Sequence, residues 1–387
     1  MSKHHIGYAA LLAAAFSFNI TTASAADEKP ADKAPASKDA ASDTAFPAYM
    51  IEGIPDSAEA YYAPDSKHLI AQVRDKDALK TSMGTDGALT YIYSDDGKEI
   101  WRVNDHGQDG CSFFFPDNKH VVFTSTRDNM DLPIGNWSDQ NNYPQGAELY
   151  VSDLKGGNIK RLTNNKYYEA EVAVSPDGKW IVFGRQIDGN MDLWVMKSDG
   201  TGEKQITFTK DWQEGAPFFT PDSEHIVFRA WRNSEYGKIK PTPMTFFSIK
   251  RDGSDWKRHT YDRGMNWHPF PAPDGKHFAI IKAVGPTDWE VFIDDISTGE
   301  SKRLTFKGGF NGMAHFSPDG KKLVWSRSTG PGFMSGIRTF VMDVSSMKLG
   351  PENYVKFDPK WGEAMQPDEA DKDLKKKAET APVKAGG

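Results

Sequence analysis

The sequence predicts an all-β protein, a six-bladed β-propeller of four-stranded antiparallel blades, and three observations carry that prediction. A Pro-Asp-(Gly/Ser/Asn) tripeptide recurs six times, at Pro64, Pro116, Pro176, Pro221, Pro273 and Pro318. The intervals of 52, 60, 45, 52 and 45 residues mark a repeat architecture rather than scattered turns. Each tripeptide is followed by a short β-rich apolar run, then a run with period-two alternation, a second Gly-bearing turn and a basic–aliphatic–Thr run.

The chain begins with a segment that is not part of this fold. Lys3, His4 and His5 precede an apolar run from Ile6 to Ile20, and small residues lead to Ala23-Ser24-Ala25. That is the layout of a secretory signal peptide cleaved after residue 25, and the run is shorter than the roughly 20 residues that span a bilayer. Residues 26–45, mostly Ala, Asp, Lys, Pro and Ser, read as a flexible tether. The propeller is expected over 46–361, and a charged, solvated tail over 362–387.

Within each repeat, one strand (a) runs into the Pro-Asp turn. A second (b) leaves it, as in Val121-Val122-Phe123, Ile181-Val182-Phe183 and Ile226-Val227-Phe228. A third (c), such as Asp192 to Met196, closes on turns like Ser198-Asp199-Gly200, and a fourth (d) reads Arg161-Leu162-Thr163 or Arg303-Leu304-Thr305. Pro fixes φ at the first central turn position, Asp caps its own turn, and Gly accepts positive φ where the chain reverses. A four-stranded meander apolar on both faces is unstable alone, and radial stacking buries both faces. The outer strand of blade 6 is open at this stage: 46–51 or 347–354 could supply it.

Val174-Ser175-Pro176-Asp177-Gly178-Lys179-Trp180-Ile181-Val182-Phe183, followed by Asp192-Leu193-Trp194-Val195-Met196 and Asp199-Gly200, resembles the WD40-like repeat of TolB-type propellers. The resemblance runs from about Tyr61 to Met347, six times over. It implies a propeller of the cell envelope, periplasmic once exported, that recognises a protein or peptide rather than catalysing a reaction. The separate α/β domain that precedes the propeller in the family's namesake has no counterpart in the tether.

The long insertions all fall between strands b and c: 74–88, 127–146, 232–243 and 328–336. They therefore share one face with the d–a connections, and loops gathered on a rigid scaffold commonly carry recognition. Seven residues before each turn proline stand Ser57, Asp109, Glu169, Glu214, Asn266 and Asn311; five before it stand Glu59, Cys111, Glu171, Ala216, His268 and Met313. These columns predict an acid- and amide-rich ring at the mouth of the central channel on that face, with some of its carboxylates raised in pKa by like-charge repulsion and desolvation. Polar bridges between blades would account for the same residues. Trp212, Trp267, Tyr167, Tyr168 and Phe310 stand nearby as candidate stacking surfaces for a peptide or sugar.

A formal net charge of -7 with mixed signs disfavours nucleic-acid and anionic-membrane binding, and a monomer with no membrane insertion is expected. Cys111 is the single cysteine, so the core holds by packing. No G-x-S-x-G elbow and no H-E-x-x-H pair occurs, so no catalytic residue is assigned. No cofactor is expected; a divalent cation at the carboxylate mouth is compatible with the residues but not required by them. A propeller lyase or hydrolase, or a sugar-binding module at the channel mouth, is the alternative.

Overall fold

The computed structural model describes residues 43–358 and 360–365. The leader, most of the tether and the tail from residue 366 lie outside the described residues. Six antiparallel sheets surround a central axis, and their innermost strands are Ser57–Tyr62, Asp109–Phe114, Tyr168–Val174, Trp212–Phe219, Asn266–Pro271 and Asn311–Phe316. Each contains four strands in the order a-b-c-d; blade 4 carries a fifth. The predicted fold is thus the observed one.

The turn chemistry works as the repeat implies. In blade 1 the Asp65 carboxylate accepts from the backbone N–H groups of Lys67 (2.8 Å) and His68 (3.0 Å). The third turn residue has positive φ in all six blades: Ser66, Asn118, Gly178, Ser223, Gly275 and Gly320. The b strands form the centre of the packing, with Phe123, Phe183 and Phe228 fully buried. Each such side chain contributes about 1.5–3 kcal/mol by leaving water.

The ring closes with strand Ala48–Met50, which pairs with Ile337–Asp343 to supply the outer strand of blade 6. Just before it, the Ala45 N–H donates to the Leu304 carbonyl, and Asp43 meets Arg327 and Lys307. From blade 6 the chain continues as a strap over the turns. Val355 N–H donates to the Asp274 carbonyl of blade 5, Phe357 stacks on His225 of blade 4, and Glu363–Ala364 pairs with Lys257–Arg258. The ordered strap therefore passes the boundary expected at residue 362.

Candidate functional site

Every innermost strand carries a β-bulge at the same place, two residues opposing one between, for example, Ala58 and Tyr61 or Ala170 and Ala173. Glu59, Glu171, Ala216, His268 and Met313 sit in the bulges with φ of 45–58°, a left-handed conformation that costs a non-glycine residue about 1 kcal/mol or more. The bulge breaks the two-residue alternation. The two predicted columns consequently part company: the column five before the proline turns to the axis, and the column seven before it packs against neighbouring elements.

That outer column is structural. Asp109 accepts from the Thr90 N–H (2.7 Å), the Thr90 hydroxyl (2.8 Å) and Asn104 (2.7 Å), tying blade 2 to blade 1. Asn311 donates to the Trp289 carbonyl and accepts from Trp325, and Asn266 donates to the Met244 carbonyl. Glu214 accepts from the Thr209 hydroxyl (2.6 Å), and Glu169 from Asn165 (2.7 Å) and Arg185. All are buried. The polar ring expected at an open mouth is instead buried between the sheets, where each side chain finds at least one partner on a neighbouring strand, blade or connection, while Glu169 Oε2 and Glu214 Oε2 find none among the described residues.

The axial column surrounds a cavity of about 20 Å³, room for roughly one water. Glu171 takes the Arg229 guanidinium on one carboxylate oxygen (2.6 Å) and the Ala216 N–H on the other (2.6 Å). Glu59 accepts from the Tyr61 hydroxyl at 3.0 Å. Burial raises Glu59 to about 7, with the Glu171 charge adding a smaller push in the same direction. Burial also raises Asp109 to about 6 and pushes Glu169 and Glu214 upward. Of the two expected causes, desolvation is the larger in each of these groups. It also pushes the Cys111 thiol up and holds His268 near 3, so that imidazole is neutral.

This chamber is shut on both sides. Towards the Pro-Asp turns, rings three residues before the prolines meet across the axis: Tyr61 lies 5.2 Å from Phe113, 5.9 Å from Phe218, 6.4 Å from Phe270 and 5.0 Å from His315. On the loop face the blade-2 insertion folds back over the mouth. Tyr143 stacks on Tyr168 at 4.1 Å, and Trp137 covers Gly110 and donates to Gln108. Gln140 bonds Gln186 of blade 3 and Trp231 and Asn233 of blade 4. Trp212 and Trp267, expected as stacking platforms, are buried against Phe247 and against Trp289 and Phe310. Tyr168 and Phe310 are buried too, whereas Tyr167 stays open.

The four insertions do share one face, and three of them interlock. Gln108 donates to the Leu79 and Lys80 carbonyls of the blade-1 insertion, and Tyr236 of the blade-4 insertion reaches Ser138 of blade 2. On the opposite face lies a feature that the sequence reading missed, an axial funnel of about 330 Å³. All six turn prolines line it, together with Phe114, Phe219 and Phe316. The signal was the prolines themselves, read as turn formers and not as a wall. Among the described residues, the group of three candidate metal ligands with converging atoms is Asp222, Glu224 and His225 on this turn face; the axial carboxylates do not converge in that way.

Six bulged, Pro-Asp-turned blades around a closed axis define a repeat propeller with a loop face and a turn face. Residues 141–286 match the family model of the TolB β-propeller domain, PD40. Over that segment the repeats are similar to those of the TolB propeller. It is 24% identical over 173 residues to an uncharacterized protein of Agrobacterium fabrum, covering 43% of this chain and 52% of that one. It is 26% identical over 160 residues to a TolB homolog of Chlorobium luteolum, 40% of this chain and 33% of that one. The chain thus spans about half or less of the length of these relatives. The solved structure of TolB from Acinetobacter baumannii aligns with a TM-score of 0.54 at 20% identity, covering 72% of this chain and 64% of that chain, which shows the fold. Among the described residues no helix is long and apolar enough to cross a membrane.

Proposed function

We propose that the chain is a non-catalytic, protein-binding propeller of the cell envelope, exported to the periplasm by its leader, whose protein or peptide partner docks on the loop face. One observation carries the reading. Of eleven large apolar side chains exposed among the described residues, seven stand in b–c or d–a segments on that face: Met83, Met130, Tyr167, Phe208, Ile239, Val284 and Phe306. Phe208 is 70% exposed. Apolar side chains gathered on an interlocked loop surface are what a partner would cover. The groups an enzyme would need speak for binding too: the Cys111 thiol and the His268 imidazole are buried in the closed chamber.

The experiment places a photo-crosslinking residue at Phe208, Tyr167 or Met130 and, as a comparison, at Lys98 on the turn face, in cells. One defined envelope protein crosslinked from all three loop-face positions and not from Lys98 supports the reading. Crosslinks confined to Lys98, or the same partner retained by a Phe208→Glu/Tyr167→Ser protein with unchanged affinity, would overturn it.

A further inference from the structure

The turn-face funnel has a wall chemistry that specifies what can enter it. Proline has no N–H. The residue before each of the six prolines donates its own N–H to the start of strand b, as Ala63 does to the His68 carbonyl and Ser317 to the Lys322 carbonyl. The wall presents proline and aromatic rings, and the N–H groups beside the prolines are spent within the turns, so the group that suits its centre is an apolar side chain. A volume of about 330 Å³ is at the lower end of ligand pockets and suits one or two such side chains.

The rim is not uniform. Five of the six turns carry a lysine three residues after the proline: Lys67, Lys119, Lys179, Lys276 and Lys321. Blade 4 carries Glu224 instead, exposed and beside Asp222. The strap brings Pro351 to the funnel wall and lays the Tyr354 ring against Gly275 of blade 5. Tyr354 and Val355 are exposed there, and partial burial, with smaller pushes from the nearby Asp222 and Glu224 charges, raises the Tyr354 phenol. One sector of the rim thus joins an acidic pair to an aromatic face, a combination that attracts an ammonium or guanidinium group.

We infer that the funnel is a second docking site, distinct from the loop face, for a partner segment that inserts an apolar side chain while a neighbouring Lys or Arg engages Glu224 and Tyr354. The charge of the notch and the proline and aromatic wall together select that segment; either feature alone would not.

The test uses the full chain. A phage-displayed library of random eight-residue peptides is panned on the wild-type protein, and enriched peptides are measured by fluorescence anisotropy. Pro176→Glu puts a charge at the funnel rim, at an exposed turn position, with Pro116→Glu as a second block should the first fail to fold. Glu224→Lys installs the residue of the other five turns. Enriched peptides should share an aliphatic or aromatic residue within three positions of Lys or Arg. Their affinity should fall at least tenfold in Pro176→Glu and at least threefold in Glu224→Lys, with melting temperatures close to the parent's. Failure to enrich any peptide family, or equal binding to both variants, overturns the inference. Binding of fluorescent dodecanoate that Pro176→Glu abolishes and Glu224→Lys leaves intact assigns the funnel to an acyl chain and overturns it. A dimer that Pro176→Glu dissociates assigns it to a second copy and overturns it likewise. None of these outcomes bears on the loop-face reading.

Discussion

Replacing Glu171 by Gln asks whether the axial acids are a free site or part of the frame. The two carboxylate oxygens each hold one donor, Arg229 and the Ala216 N–H, both at 2.6 Å. An amide has one acceptor and one donor end, so either orientation sets an N–H against a donor. The Arg229 side chain is 1% exposed, and a Cβ on Gly215 would already overlap the pair, so little room exists for water or rearrangement. Removing one partner of a buried ion pair costs about 3–5 kcal/mol, because the other charge is left uncompensated. Against a typical stability of about 5–15 kcal/mol that is a large fraction. For a chain of this size it corresponds to roughly 5–10 °C in melting temperature. Differential scanning fluorimetry at pH 7 is the assay, with Glu171→Leu/Arg229→Met closing a double-mutant cycle. The double variant, having no orphaned charge, should recover at least half of the loss. A Glu171→Gln protein melting within 1 °C of the parent would refute the reasoning and return Glu171 to the status of an available anionic site.

Glu59 titrates at about 7 in the folded protein against an ordinary value of 4.5. The folded state thus holds its proton more tightly, and this group opposes folding by an amount that grows between those values and is complete above pH 7. Glu59→Gln should accordingly gain up to about 3 kcal/mol over the parent at pH 8.5 and almost nothing at pH 4.5, as read from urea midpoints; an equal gain at both would show that ionisation is not the cause. Deleting the chain through Met50 removes the outer strand of blade 6 and should abolish soluble yield. A protein of residues 46–361 loses the Asp43 ion pairs, the backbone bonds of residues 43–45 to Leu304 and Phe306, and the Glu363–Ala364 strand, but keeps all six four-stranded blades, and should melt within a few degrees of the full chain, a contrast that equal yields would contradict.

The fold was legible because its signals are local: a Pro-Asp turn depends on four residues, and six copies in register leave few architectures. The site was less legible because its determinants are not local. Asp109 and Glu59 are both acids at fixed offsets from a turn proline, yet one satisfies Thr90 and Asn104 of the preceding blade while the other faces the axis. What separates them is the bulge, a feature of the backbone that a two-residue alternation cannot express. The blade-2 insertion was harder still. Its length and position are visible in the sequence, but whether it stands open or lies over the mouth depends on Gln140 finding Gln186, Trp231 and Asn233, some 46 to 93 residues further along. The cap and the bulges also bear on each other. Five left-handed non-glycine residues cost several kcal/mol together, and they persist only where surroundings over-determine them. In this chain the surroundings are the aromatic plug, the Arg229 ion pair and the Tyr143–Tyr168 stack, which together close the chamber. The axis is therefore spent on holding six blades together, while the two faces carry most of the exposed large apolar side chains and the proline funnel.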